Sequence, residues 1–304
     1  METNHSTKIK ESIYDMIHEQ ITENDLKQRL LEYVDYQAAK GFPFAELLIL
    51  HYTMFDGPET EEICKIAGAI ELLILQSDIL DDFEDGDFFA KPWYKEKHLA
   101  LNAASALPFL CIRTILNSNF EHKLKCVEII TKFAMDSVNG QHKDLLNICK
   151  SEKDYIDMTM EKSGSLVALA CLAGTVLAGG ERPDEVETYA KIIGLIGQLN
   201  NDLKDLDLKN DKNDLLNKKY SLPIIYLLNF KDEEISFIHD YYEGNLNKEE
   251  IVLKQKLIEK KLEDTGTVKY VEVIKRIYQN KALNEINKLH FQPSYVKQLS
   301  KNFD

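Results

Sequence analysis

The stretch that decides the fold reads Ser77-Asp78-Ile79-Leu80-Asp81-Asp82-Phe83-Glu84-Asp85-Gly86-Asp87. It follows a strongly apolar segment, Ala67 to Leu75, that has the periodicity of a helix. Because residues three and four apart on a helix face the same way, Asp85 shares a face with Asp81 and Asp82. These like charges repel at the negative, C-terminal end of the helix dipole. Hard cations such as Mg²⁺ would offset the repulsion, and a solvated acidic helix end is the alternative interpretation.

A second stretch, Gly194 to Asp205, ends another apolar helix and carries polar residues at the same spacing. Asn201, Asp202 and Asp205 there repeat the geometry of the three aspartates in the first stretch. The two stretches lie about 120 residues apart in the chain. One such motif is a weak signal, but two of them could face each other across a cavity in a helical bundle.

Composition excludes several classes of function. The chain has 304 residues, 44% of them hydrophobic, and 37 basic against 51 acidic residues give a net charge of −14, which is a poor basis for nucleic-acid binding. The five cysteines have no CxxC spacing and are expected to be buried free thiols. Met1 to Lys10 is polar, and the longest nearly apolar run, about 166–178, is too short to span a bilayer. These features predict a soluble cytoplasmic protein without a transmembrane segment.

Helical periodicity runs through the whole chain, and no hairpin signal lies between alternating strand-like segments. The pattern predicts an all-α fold, a single large helical bundle around a central cavity, with one domain over residues 1–304. The polar segment Asp205–Lys219 reads as a mobile surface loop. The expected helices are 8–20, 23–39, 43–54, 60–83, 98–117, 120–149, 152–178, 184–208, 222–229, 233–243, 248–263 and 267–289.

The motifs resemble those of the isoprenyl (polyprenyl) diphosphate synthase family over about residues 30–290. Asp81–Asp85 matches the family's DDxxD. Gly194–Asp205 matches GxxFQxxDDxxD, with Gly197 where Phe is usual and Asn201 where the first Asp is usual. Three further motifs, GQxxD, K(T/S)xxL and KxTxP, are matched by Gly140–Asp144, Lys162–Leu166 and Lys219–Pro223.

The resemblance implies an isoprenyl synthase-like fold, a homodimer, and an enzyme that ionises an allylic isoprenyl diphosphate with three Mg²⁺ ions when the substrate is bound. The catalytic roles it implies fall on Asp81, Asp82, Asp85, Lys162 and Asp202. The metal ligands it implies are Asp81, Asp82, Asp85, Asn201, Asp202 and Asp205. The substrate contacts it implies are Gln141, Ser163, Gln198, Lys219, Ser77, Phe88 and Phe89.

The departures from the family pattern concern the second substrate. Chain-elongating synthases hold isopentenyl diphosphate with GGKRxRP and RRGxP segments, which here read Lys40–Glu46 and Phe88–Pro92. At least three cationic positions have become Phe, Pro or Ala, so the guanidinium partners of a second diphosphate are missing. Lys40 and Lys91 remain nearby.

This combination resembles the ComQ-type isoprenyl transferases of bacterial quorum sensing, which transfer a geranyl or farnesyl group to a tryptophan of a small pheromone precursor, the ComX peptide. An uncharged aromatic acceptor site would suit an indole nucleophile and steady an allyl cation. The aromatic residues available for it are Phe42, Phe44, Phe88, Phe89 and Trp93. The alternative is that each is an ordinary core or entrance-loop residue.

Three other functions stay open. A farnesyl or geranylgeranyl diphosphate synthase explains the acidic motifs but needs the missing arginines. A class I terpene synthase fits Asn201 and Asp202, although Asp205 and Lys209 stand where Ser and Glu belong. A non-catalytic partner subunit is disfavoured because such chains tend to lose the aspartates that this chain keeps. Ser77 lies in the turn that floors the family's cavity, and this modest side chain fits a ten- or fifteen-carbon donor.

Overall fold

The first acidic stretch ends a helix of 25 residues, Glu61–Asp85. The helix begins at a cap in which the Thr60 hydroxyl accepts the N–H of Ile63 at 3.3 Å. It ends at Gly86, whose left-handed conformation (φ 74°) is the usual stop for a helix. All of its residues from 66 to 75 are buried, so the helix runs through the core and carries its acidic end out of apolar surroundings.

A computed structural model describes residues 2–58, 60–86, 91–179, 181, 183–209, 213–230 and 233–303, with side chains from residue 5 onward. The helices are α1 Glu2–Gln20, α2 Asn24–Ala38, α3 Pro43–Met54, α4 Glu61–Asp85, α5 Lys97–Leu116, α6 Lys123–Leu145, α7 Glu152–Thr159, α8 Ser165–Gly179, α9 Asp184–Lys204, α10 Leu222–Leu228, α11 Ser236–Glu243, α12 Lys248–Val252, α13 Gln255–Asp264, α14 Thr267–Lys288 and α15 Pro293–Ser300. A π-helical segment, Met160–Gly164, joins α7 to α8. No strand occurs in the described ranges, and the all-α prediction is confirmed.

The predicted helices all overlap observed ones, but some predicted elements differ from those observed. The predicted helix 248–263 is interrupted after Val252, and α15 was not predicted. The expected surface loop 205–219 is wrong in its second half, because residues 213–216 are buried. Leu215 and Leu216 there join a core cluster with residues of α10 to α13, which outweighs the polar composition of the segment.

The chain divides into two compact units. The first comprises residues 1–135 and 166–187, and in it α4 packs against α1, α3 and α5. The second comprises residues 136–165 and 188–304, and its core joins α7, α9, α10 and α14. The prediction of one domain over the whole chain stays a prediction.

All five cysteines are free and buried, as predicted; they are Cys64, Cys111, Cys126, Cys149 and Cys171. Two helical stretches of the described chain, Lys97–Leu116 and Glu152–Gly179, are long and apolar enough to cross a membrane by length and composition alone. Part of the first and most of the second are buried in the protein, as in the core helices of soluble proteins, so the pair is only a weak sign of membrane insertion.

Candidate active site

The first acidic motif divides its aspartates between two environments. Asp81 and Asp85 are half-buried at the C-terminal end of α4, whereas Asp82 is only 6% exposed. The ammonium group of Lys91 donates a hydrogen bond to Oδ1 of Asp82, and the indole N–H of Trp93 donates to Oδ2 at 3.0 Å. Asp82 therefore ties the chain that follows the motif back onto α4, while Asp81 and Asp85 are the better placed to meet a cation.

Trp93 is a core residue and not an open aromatic surface. Its ring contacts those of Tyr33 and Tyr36 edge-on, with centroids 5.5 Å and 5.2 Å away. Phe42 is likewise buried. For these two aromatics the core interpretation therefore holds. Phe88 and Phe89, predicted substrate contacts, lie outside the described residues.

Two further carboxyl groups precede the motif on α4. Burial raises the pKa of Glu71 to about 8, although the backbone N–H groups of Ala45 and Phe44 donate to it. Burial also raises the pKa of Asp78 to about 6, helped by Asp81 and Asp82 and opposed by Lys40 and Lys91. Ser77 is half-buried, and its hydroxyl donates to the carbonyl of Leu73 at 3.3 Å.

In the second unit, glycines bring three helical segments into backbone contact. A Cβ added at Gly140 would lie 2.3 Å from the backbone nitrogen of Lys162, and one added at Gly194 would lie 2.6 Å from Cα of Gly164. Glycine is therefore required at positions 140 and 194, because α6 and α9 each contact the backbone of the π-helical segment at these positions. Lys162 and Ser163 lie inside that π-helical segment, a conformation that is rare and frequent at functional sites.

Close contact of these segments aligns the predicted polar residues. Lys162 donates to Oδ2 of Asp144 at 2.6 Å. The Ser163 hydroxyl donates to Oε1 of Gln198 at 3.3 Å, and Nε2 of Gln198 donates to Oδ1 of Asp202 at 3.0 Å. The structure thus connects Ser163, Gln198 and Asp202 in one hydrogen-bonded series.

Asp202 is fully enclosed. The Tyr155 hydroxyl and the Leu222 N–H (3.4 Å) donate to its Oδ2, in addition to the Gln198 bond. Burial raises the pKa of Asp202 to about 6, and these three donors hold it below what burial alone would give. The other predicted ligands of this motif differ, because Asn201 is exposed and Asp205 is half-buried.

Two aspartates were missing from the predicted site. Asp144, the last residue of the GQxxD motif, pairs with Lys162 and lies close enough to Asp202 to raise its pKa. Asp214 is buried, and its burial, followed by the charge of Asp202, raises its pKa to about 8. The motif itself signalled Asp144. For Asp214 the only signal was the apolar pair Leu215-Leu216 inside a polar segment.

Lys219 is positioned through its backbone. Its N–H donates to the carbonyl of Asp214 at 2.9 Å, and its own carbonyl accepts the Tyr242 hydroxyl at 2.9 Å. Asn147 donates to the carbonyl of Lys218 and accepts the N–H of Tyr220. These bonds order the segment that follows the buried Asp214.

The predicted site residues therefore form two groups, each within one unit. The first unit holds Ser77, Asp81, Asp82 and Asp85 on α4. The second unit holds Gln141, Lys162, Ser163, Gln198, Asn201, Asp202, Asp205 and Lys219. Within the described ranges, no three His, Cys, Asp or Glu side chains are already arranged as a closed metal cluster. Mg²⁺ does not need one, since it usually takes one or two carboxylates and fills its shell with water and phosphate.

Two histidines lie on apolar or motif-bearing helices, His51 on α3 and His142 on α6. His51 is buried, and burial lowers its pKa to about 4. Its Nδ1 lies 2.7 Å from the carbonyl of Leu47 and must donate, because a carbonyl only accepts. His142 is exposed on α6. The environment of His51 is that of a structural residue in the core.

Comparison with known proteins identifies the family. Residues 27–260 match the sequence profile described as "Polyprenyl synthetase". The chain belongs to the polyprenyl synthetase family. The tryptophan prenyltransferase ComQ of Bacillus subtilis subsp. natto is 35% identical over 274 residues, covering 90% of this chain and 84% of that protein. ComQ of Bacillus subtilis strain 168 is 32% identical over 284 residues, 91% of each chain.

Solved structures of the polyprenyl synthetase family share the fold. A polyprenyl synthase from Caulobacter crescentus CB15, complexed with calcium and isoprenyl diphosphate, has a TM-score of 0.81 and covers 99% of this chain and 93% of its own at 16% identity. The predicted isoprenyl synthase-like fold, the family resemblance and the predicted class of enzyme, a prenyltransferase, are confirmed.

Proposed function

We propose that this polyprenyl synthetase family member transfers a geranyl or farnesyl group from its diphosphate to a tryptophan of a small pheromone precursor peptide. The observation that carries the proposal is the ion pair between Lys91 and Asp82. Lys91 lies in the segment with which chain-elongating synthases hold a second diphosphate, and here its ammonium group is already bound to a carboxylate of the chain. The relatives named tryptophan prenyltransferases support the choice of acceptor. In the reaction the allylic C–O bond breaks toward pyrophosphate, the indole ring supplies the electrons of the new bond, and a proton leaves.

The metal in this proposal is Mg²⁺, with three ions when substrate is bound. The half-buried carboxylates of Asp81 and Asp85 fit a hard cation, and Asp202, with Asn201 and Asp205 beside it, would supply oxygen ligands from the second motif. The bound ions would stabilise the charge that develops on the departing pyrophosphate. The related structure with calcium and isoprenyl diphosphate supports a divalent ion in this fold.

The chain's own residues act on both ends of the donor. Lys162 and Lys219 would neutralise diphosphate oxygens, and Gln198, held between Ser163 and Asp202, would donate beside them. Gln141 would contact the same group. An apolar cavity floored at Ser77, one turn before Asp81, would enclose the prenyl chain and keep water from the cation.

The test compares two acceptors. The protein is incubated with Mg²⁺ and geranyl or farnesyl diphosphate, together with either isopentenyl diphosphate or a Trp-containing peptide, and the products are identified by mass spectrometry. We expect a prenylated peptide and little chain elongation. A peptide with Leu in place of Trp is the control. Efficient elongation without a peptide adduct would instead assign the chain to the diphosphate synthases, and a cyclic terpene would assign it to the terpene synthases.

The metal role is tested separately at the first motif. Asp81→Ala is expected to lower turnover by about 10²–10³-fold, the usual effect of losing one electrostatic contact to developing charge. Glu84→Ala removes a carboxylate from the same helix end outside the proposed ligand set and should keep turnover within about threefold. A normal rate for Asp81→Ala, or full activity in excess EDTA, would refute the proposed metal site.

The same proposal includes a cytoplasmic location, a quorum-sensing role and a homodimer. The five buried free thiols are consistent with a reducing compartment. Exposed apolar side chains on α5 and α6, Phe109 and Leu124 among them, offer a surface for a second copy of the chain.

A further inference from the structure

A cavity of about 420 Å³ lies in the second unit, among residues that the proposed chemistry does not use. Its lining comes from the segment that precedes α7, from α10 and the residues around it, and from α11. The residues that line it include Lys150, Tyr220, Leu228, His239, Tyr242 and Glu243. Ligand pockets in proteins typically have volumes of about 300–1,000 Å³. The cavity therefore has the size to hold a small ligand or a short piece of a larger one.

The walls of the cavity are aromatic and carry charges of both signs. The rings of Tyr220 and Tyr242 are neighbours, with centroids 5.2 Å apart. The ammonium group of Lys150 lies 5.1 Å from the centre of the Tyr220 ring, and Glu243 follows Tyr242 on α11. A free phosphate would meet a carboxylate as well as an ammonium group here. A peptide segment fits better, because apolar side chains suit the rings and the main chain offers both N–H donors and C=O acceptors.

The cavity is connected to the proposed donor site through the backbone of Lys219. Tyr220 is the next residue in the chain, and the Tyr242 hydroxyl donates to the carbonyl of Lys219 at 2.9 Å. The side chain of Asn147 donates to the carbonyl of Lys218 at 2.8 Å and accepts the N–H of Tyr220 at 3.1 Å. A ligand in the cavity would therefore lie one residue away, along the chain, from a proposed contact of the donor diphosphate.

An exposed apolar segment joins the proposed site to the cavity on the α6 side. Asp144, which pairs with Lys162, is followed by Leu145, Leu146 and Ile148, all of them exposed. Lys150 and the cavity come two residues after Ile148. Grouped apolar side chains on a surface mark interaction sites. An extended peptide would cover this segment as well as enter the cavity, whereas a compact metabolite would leave it exposed.

We propose that the cavity binds the residues that flank the tryptophan of the acceptor peptide. Lys150 and Glu243 select the charge of these flanking residues, and the rings of Tyr220 and Tyr242 contact their apolar groups. This inference rests on the proposed function, because it concerns the acceptor of that reaction. Binding of the flanking residues would hold the indole beside the donor and so make its attack effectively intramolecular.

The probe is a pool of short synthetic peptides with one fixed Trp and randomised flanking residues. The purified full-length protein receives the pool with Mg²⁺ and geranyl or farnesyl diphosphate, and mass spectrometry identifies the peptides that gain a prenyl group. In Lys150→Glu we expect the ratio of acidic to basic flanking residues among the products to fall about tenfold. In Glu243→Lys the same ratio should rise about tenfold. A general loss of structure would not shift the ratio in opposite directions.

Two control variants make the same changes of charge outside the lining. Lys153→Glu and Glu259→Lys alter exposed residues of α7 and α13. Both should keep the flanking preferences of the wild-type chain, with pyrophosphate release within about twofold of its rate. Circular dichroism and the thermal midpoint establish that each variant is folded.

Affinity selection of the same pool on immobilised protein, without Mg²⁺ or donor, gives a readout that does not need turnover. Opposite shifts of the selected flanks in Lys150→Glu and Glu243→Lys support the inference. Unchanged preferences in both variants overturn it, even when the wild-type chain prenylates peptides and the proposed function stands. If the wild-type chain prenylates no peptide, the proposed function fails, yet selection that depends on Lys150 and Glu243 would still assign a peptide site to the cavity.

Discussion

Glu71 is a carboxyl group buried in the first unit, only 1% exposed, and burial raises its pKa to about 8. Because the folded state binds this proton more tightly than the unfolded chain, its contribution to stability is complete below about pH 4.5 and is lost as pH rises through 8. Glutamine resembles the protonated acid and does not titrate. We therefore expect Glu71→Gln to abolish this loss of stability at high pH.

The measurement is the free energy of unfolding in urea with EDTA at pH 5.5, 6.5 and 7.5. The difference between variant and wild type should change in favour of the variant by about 1.4 kcal/mol per pH unit at most, the limit for one proton. Parallel curves for the two proteins would mean that Glu71 is charged throughout this range.

Tyr155 supplies a second prediction for a single residue. Its hydroxyl donates to the buried carboxylate of Asp202. Tyr155→Phe leaves that oxygen with the weaker Leu222 contact, so the free energy of unfolding should fall by about 1.5–3 kcal/mol, the usual contribution of a hydrogen bond to a charged group. Tyr270→Phe is the matched control, because its hydroxyl bonds the exposed carboxylate of Glu152 and should contribute less than about 0.5 kcal/mol. Equal losses in the two variants would contradict the importance of burial.

The sequence motifs indicated which polar residues to propose for the site, but the environments of those residues could not be predicted. The helical spacing of Asp81, Asp82 and Asp85 placed all three on one face, yet only tertiary contacts decide that Asp82 is bound by Lys91 and Trp93. Asp214 escaped prediction for the same reason, since nothing local distinguishes a buried aspartate from an exposed one in an Asp- and Asn-rich segment.

At the scale of the element, the contact between α9 and the π-helical segment depends on Gly194. A methyl group there would lie 2.6 Å from both Cα of Gly164 and the carbonyl oxygen of Ser163. Because two backbones would have to separate, we expect Gly194→Ala to destabilise the fold by about 2–3 kcal/mol. It should also lower turnover at least about tenfold by displacing Lys162 and Ser163. Thermal unfolding and pyrophosphate release measure the two effects.

Gly197 provides the control on the same helix. A Cβ added there meets nothing within 4 Å. Gly197→Ala should therefore stabilise the chain by about 0.5–1 kcal/mol through helix propensity, with little change in turnover. If both alanine variants behave alike, Gly194 is not required for the close approach of the two segments.

Helices were the most predictable elements, because each apolar stripe repeats over several turns. The π-helical segment was not predictable, since its apolar spacing is indistinguishable from that of the α-helices on either side. Its formation follows from packing, in which Gly140 and Gly194 admit the backbone of residues 162–164 from two sides.

For the whole molecule, the all-α architecture followed from periodicity, whereas assembly needs the observed surface. Leu101, Phe109 and Leu116 lie at spacings of eight and seven on α5, and Leu124 and Met135 at eleven on α6, so each helix presents an exposed apolar stripe. In a chain that stays monomeric, polar residues would be expected at these exposed positions. We therefore expect a homodimer formed through α5 and α6, of about 70 kDa from a chain of 35.0 kDa.

Sedimentation velocity tests this assembly. Phe109 and Leu124 are 72% and 70% exposed in one copy, so Phe109→Glu with Leu124→Glu should place charges in the interface and give a 35.0 kDa species. Leu253→Glu is the control, because Leu253 is 87% exposed but belongs to neither stripe, lying between α12 and α13 in the second unit. Dissociation by the control as well, or a monomeric wild-type chain, would contradict the interface. Retention of the dimer in the double variant would mean that the interface does not involve these two stripes.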